Sequence, residues 1–369
     1  MTTRRTFLNQ SALAACALAL PVTAEPTITG SQSLKAQAHK RGLLVGCAVG
    51  AANLHEPDFT QVLIDQYSLV VPENALKFGP LRPSPTEYNF ADADALVNFA
   101  HDHKIKVRGH NFVWHEQLPT WFDATVTKEN AKQILTTHIQ TVASRYKGKI
   151  QSWDVVNEAI NPPDGRPDSL RKSPWLQLIG PEYLELAYRT ARQADPHAKL
   201  TYNEYGIENE NEADRTKRAA TLDLLKRLKA ANVPIDALGI QSHISAGSGQ
   251  TWGNGLRDLI AGAQSLGLEV YLTELDVNDD AVLGDDTAAR DQQVAAVYRD
   301  YLAVALENRS VKSVLTWGIT DRHSWLNEVK SHREKMPNRP QRPLPFDPDY
   351  KPAPAFFALR DALAHAPHR

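Results

Sequence analysis

Short apolar runs alternate with longer amphipathic stretches through almost all of the chain after residue 40. Runs rich in Val, Ile and Leu read as buried strands. They fall at 43–49, 68–71, 105–107, 199–202, 237–240, 270–274 and 311–316, with a fourth strand built on 153–159 and led in by Ile150. Between them, apolar residues recur at helical spacing. The clearest case carries Ala131, Ile134, Leu135, His138, Ile139, Val142 and Tyr146, with Thr127 as the expected N-cap and Gly148 as the stop. Further helices are expected over 91–103, 183–194, 215–231, 256–266 and 291–307, and a last one carries Phe356, Leu359 and Leu363. Residues 25–40 form a polar leader of helical character, and 336–354 a proline-rich loop.

Eight strand–helix units in series match an α/β fold of the (β/α)8 TIM barrel type better than a doubly wound sheet. No glycine-rich phosphate loop is present, and no linker or composition shift marks a second domain. The expected organisation is a single catalytic domain over 25–369 behind a targeting segment at 1–24. In a closed parallel barrel every strand opens its C-terminal end on the same face, and the active site is built there. That rule gathers Glu73, Asn74 and Lys77; His110, Trp114 and Gln117; Asn157 and Glu158; Asn203 and Tyr205; Gln241 and His243; Glu274 and Asp276; and Trp317, Asp321 and Trp325. Singly, each could be a satisfied structural residue. Their convergence is the signal.

Composition narrows the class. Charged residues make up 23% of the 369, hydrophobic ones 42%, and the formal net charge is −2, which gives no pull toward nucleic acid or an anionic membrane. The first residues pair Arg4-Arg5 with Phe7-Leu8, then run small and apolar from Ser11 to a Val22-Thr23-Ala24 cleavage site. This resembles a twin-arginine export signal and is too short to span a bilayer. The product is expected in the periplasm or outside the cell. Leu13-Ala14-Ala15-Cys16 is also similar to a lipoprotein box, a lesser alternative because little of the apolar run precedes Cys16. Removal of 1–24 leaves Cys47 as the one cysteine, an inert core thiol. The expected product is a monomer.

Two glutamates, several amides and surrounding tryptophans suit a sugar polymer. Amides and acids bond hydroxyl edges, and indoles stack on the C–H faces. Cleaving a glycosidic bond needs a proton donor for the leaving oxygen and a nucleophile for the anomeric carbon, a task for paired carboxyls. The donor keeps its proton near neutral pH when it is buried beside another anion.

The motifs Glu73-Asn74-Ala75-Leu76-Lys77-Phe78, Arg108 to Gln117, Trp153 to Ala159, Gly239 to His243, Thr273 to Asp276, and Thr316-Trp317-Gly318 with Asp321 and Ser324-Trp325 together resemble the family 10 glycoside hydrolases, the retaining endo-β-1,4-xylanases. The resemblance covers nearly everything after residue 40. It implies that Glu158 is the general acid/base and Glu274 the nucleophile, with His243 orienting Glu274 and Asp276 behind it. It further implies that Asn157 holds the sugar's 2-hydroxyl while His110, Lys77, Trp114 and Gln241 line the same subsite. Glu73, Asn74 and Gln117 would hold the next sugar on the non-reducing side, Trp317 and Trp325 would roof the cleft, and Tyr205 would lie on the aglycone side. The implied partner is xylan or its oligosaccharides, with no cofactor and no metal. The departures are Glu116 where a small residue is usual, Glu204 where Asp is usual, and Leu76 and Phe78 where Met and Trp are common. The rivals are a β-1,4-glucanase on the same fold, a non-catalytic polysaccharide-binding protein, and a metal hydrolase using His110, His115, His243 and Asp276. The histidine spacing fits that last site poorly.

Overall fold

The computed structural model describes residues 28–328, 336 and 338–369. The expected export segment, with Cys16, lies outside the described residues.

The chain lays down β1 (Leu44–Val49), β2 (Leu69–Pro72), β3 (Lys106–Val113), β4 (Ile150–Asn157), β5 (Lys199–Glu204), β6 (Ala237–Ile240), β7 (His243–Ser245), β8 (Glu269–Asn278) and β9 (Val311–Thr316). All neighbours pair in parallel, in the order β6-β5-β4-β3-β2-β1-β9-β8-β7. Because β6 also pairs with β8, the sheet closes. β6 and β7 are successive pieces of one stave: the first faces Glu269 to Leu272 of β8, the second Asp276 to Asn278. Eight staves therefore make the (β/α)8 barrel that the repeat pattern predicts.

Several strands outrun their apolar cores. β3 extends to Val113, β5 to Glu204 and β8 to Asn278, so Glu274 sits within a strand and not at its tip. The reason is that ladder bonding continues past the last apolar residue wherever a neighbour offers a partner. Asn157 lies opposite Asn203, and His243 opposite Asp276. Polarity marks the functional end of a strand, not its hydrogen-bonded end.

The outer layer contains α1 (Leu34–Lys40), α2 (Pro57–Gln66), α3 (Phe78–Leu81), α4 (Ala91–Asp102), α5 (Phe122–Thr125), α6 (Ala131–Arg145), α7 (Pro174–Ile179), α8 (Tyr183–Ala194), α9 (Glu212–Ala230), α10 (Asn254–Ser265), α11 (Thr287–Ala305) and α12 (Pro354–His365). α2 buries only Phe59, Leu63 and Gln66, so its apolar stripe is too thin to stand out in the sequence. The expected Thr127 cap does not form. α6 begins after Asn130, whose side chain accepts the Thr127 amide N–H at 2.8 Å, which makes Thr127 the donor in a turn ahead of the helix. Asn211 and Asp286 cap α9 and α11 from earlier than the apolar spacing places them. Cys47 is fully buried, as expected, and burial pushes its thiol up.

Strand alternation sorts β3 and β4 into two faces. Arg108 and His110 meet Ser152 and Asp154. Arg108 Nε donates to Asp154 Oδ2 at 3.2 Å and Nη1 to Ser152 Oγ at 3.2 Å, and all four groups are buried. On the other face Gly109 pairs with Trp153, whose indole donates to Asp195 Oδ2 at the end of α8. A Cβ on Gly109 would lie 2.0 Å from the indole ring. Gly109→Ala is therefore expected to destabilise the fold by about 1–3 kcal/mol, the usual range for overpacking. Urea denaturation of wild type and variant checks this. An unchanged midpoint would mean that Trp153 has room to move.

Candidate active site

Many of the side chains that face the barrel mouth sit at the end of a strand or one or two residues past it, where the backbone is still held by the neighbouring stave. The Glu73 amide bonds to Val49 O, Glu158 to Asn203 O, Gln241 to Glu204 O, Glu274 to Gln241 O and Trp317 to Leu275 O. The cleft they enclose has a volume of about 660 Å³. It is lined by Glu73, Asn74 and Lys77; His110, Trp114 and Gln117; Asn157, Glu158 and Tyr205; Gln241, His243 and Glu274; and Trp317 and Trp325. Of the residues gathered at the strand ends, Asn203, Asp276 and Asp321 do not line it. All three are buried, and Asp276 lies directly behind His243.

Glu158 follows β4 with its backbone in the left-handed region, φ 59°. One carboxylate oxygen accepts the Trp114 indole N–H at 2.8 Å. The other accepts the amides of Asn157 at 2.9 Å and Gln241 at 3.0 Å. Burial raises its pKa, and the nearby Glu204 carboxylate raises it further, against the lowering effect of the Gln241 and Trp114 hydrogen bonds.

Glu274 has the opposite environment. Burial pushes it up, but the His243 hydrogen bond, the charges of His110 and His243 and the Asn203 amide outweigh burial, so its pKa is lowered. His243 Nε2 lies 3.1 Å from Glu274 Oε2, and Nδ1 lies 2.8 Å from Asp276 Oδ1. Burial works against a charge on His243, yet these two carboxylates raise its pKa well above the ordinary value. As an imidazolium it donates from both nitrogens. Trp325 Nε1 donates to the other Asp276 oxygen at 2.7 Å and tethers a half-exposed indole to the same array.

Asn203 joins the two acids. Its Nδ2 donates to Glu274 Oε1 at 2.7 Å and to Asn157 Oδ1 at 2.9 Å, while its Oδ1 accepts from Thr273 Oγ1 at 2.7 Å. A Cβ on Gly239 would stand 2.2 Å from that oxygen, so glycine in β6 is what leaves Asn203 its place. The sequence marks Asn203 as one strand-end amide among several. Its role as a link depends on the lateral register of β4, β5 and β8, which no local motif carries.

Around this pair, Lys77 Nζ donates to Asn74 Oδ1 at 2.9 Å and lies 4.9 Å from the centre of the Trp114 ring. Burial lowers its pKa and raises that of Glu73. Trp317 packs edge-on against His110 and His243. Glu116, His323 and Glu328 also line the cleft, although the strand-end rule does not mark them. Three residues of the rival metal site, His110, His243 and Asp276, are already engaged, Asp276 by His243 and Trp325. His110 is engaged by Asp154 and Asn111, and His243 by Asp276 and Glu274.

Two carboxyls biased toward opposite protonation states in one tryptophan-walled cleft suit glycosidic bond cleavage. The family model for Glycosyl hydrolase family 10 matches residues 33–362. The chain belongs to that family. It is 34% identical over 340 residues to an endo-1,4-β-xylanase B of Thermotoga neapolitana, covering 90% of this chain and 93% of that protein. It is 35% identical to an endo-1,4-β-xylanase A of Caldicellulosiruptor, where the match spans 88% of this chain but only 46% of the relative's length. Among solved structures, xylanase 10B of Thermotoga petrophila in complex with xylobiose superposes with a TM-score of 0.79 at 33% identity, covering 90% of this chain and 97% of that one.

For this family 10 hydrolase, Asn203→Ala removes a hydrogen bond to a charged group, a loss of about 1.5–3 kcal/mol. kcat/KM is expected to fall roughly 10- to 100-fold by that measure. Losing the amide also lets the Glu274 pKa rise, so the acidic limb of the pH profile should move to higher pH. A limb that stays in place would remove Asn203 from the charge balance.

Proposed function

We propose that the protein is an endo-acting, retaining β-1,4-xylanase that cleaves xylan and xylo-oligosaccharides with no cofactor. The observation that carries this reading is the contrast between Glu158, whose pKa is raised, and Glu274, whose pKa is lowered, within one cleft. The xylanase names of its relatives support the substrate.

In the first step Glu274 attacks the anomeric carbon, the glycosidic C–O bond breaks, and the leaving oxygen takes the proton of Glu158. A glycosyl ester on Glu274 and an anionic Glu158 result. Glu158 then accepts a proton from water, the resulting hydroxide oxygen bonds to the anomeric carbon, and Glu274 departs as a carboxylate. His243 steadies Glu274 through both of its anionic states. Asn157 is placed for the 2-hydroxyl; His110, Lys77, Trp114 and Gln241 line that subsite; and Glu73, Asn74 and Gln117 lie at the next sugar. Trp317 and Trp325 cover the cleft, and Tyr205 stands on the aglycone side. Residues 1–24 act as a twin-arginine export signal, a reading that substituting both Arg4 and Arg5 by Lys tests through loss of export.

Glu274→Ala is expected to lower turnover of xylan by roughly 10⁴-fold or more, measured as reducing sugar released. The first product should be the β-anomer by proton NMR; an α-anomer would overturn the retaining mechanism. The pH profile should be bell-shaped. Glu158 must be protonated, so activity is lost as pH rises through its raised pKa. Glu274 must be anionic, so activity is lost as pH falls through its lowered one. With an activated aryl xyloside, Glu158→Gln should remove the basic limb; a basic limb that survives would reassign the acid.

A further inference from the structure

Arg171 lies outside the cleft lining, in the loop between β4 and α7. That loop folds back on itself: Ile160 bridges Leu170 antiparallel, and the Arg171 amide donates to Ala159 O at 2.7 Å. The turn returns the Arg171 side chain to the residue that precedes the loop. Its Nε donates to the backbone carbonyl of Glu158 at 2.7 Å, and its Nη2 donates to the Tyr205 hydroxyl at 3.0 Å.

Both partners need holding. Glu158 has a left-handed backbone that side-chain-bearing residues rarely adopt. Its amide is held by Asn203 O, and Arg171 holds the carbonyl. Tyr205 is 37% exposed at the cleft, and Lys217 Nζ covers one ring face at 3.5 Å from the centre. Lys217 is itself fixed by Glu204 at 2.8 Å. Lys217 thus holds the ring of Tyr205, and Arg171 holds its hydroxyl end, with the guanidinium carbon 5.8 Å from the ring centre. A guanidinium is planar, so two hydrogen bonds from one head set the geometry of their acceptors relative to each other.

We propose that Arg171 is a positioning residue that locks Tyr205 to the backbone of Glu158, so that a sugar resting on the tyrosine meets the acid at a fixed distance. This rests on the reading of Glu158 as proton donor. It implies that Arg171 matters where the leaving group is a sugar, which needs both the tyrosine platform and the proton. It should matter little where the leaving group is a dinitrophenolate, which departs without protonation and occupies less of the aglycone side.

The test compares kcat/KM for xylotetraose and for dinitrophenyl xylobioside in the full-length protein. Arg171→Met should lower the xylotetraose value roughly tenfold or more, within the range of general-acid effects, and the aryl value less than about threefold. Tyr205→Phe should show the same selectivity more weakly, and the double variant should be no worse than Arg171→Met. Arg171→Lys keeps the charge but loses the planar fork whose two nitrogens space the acceptors, so it should resemble Arg171→Met. Equal losses on the two substrates, additive losses in the double variant, or full activity in Arg171→Lys would each overturn the clamp. If Arg171→Met does not fold, Arg171→Lys and Tyr205→Phe decide the question. A wild type that cleaves neither substrate would instead bring down the functional reading, and this inference with it.

Discussion

Two carboxyl groups in one cleft would ordinarily compete for the same charge state, each anion raising the pKa of the other. Here the competition is resolved by what stands behind each. Glu274 faces an imidazolium that Asp276 holds in place, and it receives the Asn203 amide as well. Glu158 faces neutral donors, with the Glu204 carboxylate nearby. The asymmetry lies in the surroundings and not in the two glutamates, which are chemically identical. The rest of the barrel supplies the rigidity that keeps those surroundings apart.

That rigidity comes from register. Asn157 is opposite Asn203, Glu204 opposite Ile240, and His243 opposite Asp276. Through this ladder the Glu158 amide bonds to Asn203 O, the Gln241 amide to Glu204 O and the Glu274 amide to Gln241 O around the mouth. A slip of one residue in any stave would turn its functional side chain to the other face. Beneath the mouth, the buried Arg108–Asp154 pair carries the same logic inward. Asp154 holds His110 Nδ1 at 3.0 Å while Arg108 neutralises it, so an acid that would be costly alone is fully engaged.

The eight-fold repeat was readable because each strand is a compact apolar run with a polar residue at its end. The same polar ends named most of the cleft. What stayed hidden is lateral. β8 reads as ending at Glu274 because its apolar run stops there, but pairing with β7 carries it to Asn278. Asn203 looks like any strand-end amide until β4 and β8 flank it. Glu116, His323 and Glu328 enter the cleft from loops, where no periodicity constrains a side chain. α2 leaves little mark on the sequence because three buried positions make too faint a stripe. Sequence pattern reports which residues leave the core at a strand's end; which neighbour they meet is settled by register.

Glu204 carries this reasoning one layer further from the cleft. It is fully buried and accepts from Lys217 Nζ at 2.8 Å, Tyr202 Oη at 2.5 Å, and the amides of Ile160 at 3.2 Å and Tyr205 at 3.1 Å. A buried ion pair contributes little net stability, because desolvation offsets the attraction, while removing one partner costs about 3–5 kcal/mol. Placement for stability alone would favour apolar packing at this position. The pair instead lies between two parts of the site. Its anion faces Glu158, and its cation underlies Tyr205. One buried bond therefore ties the electrostatics of Glu158 to the placement of Tyr205, and its cost to the fold is intelligible as a cost of holding both in place.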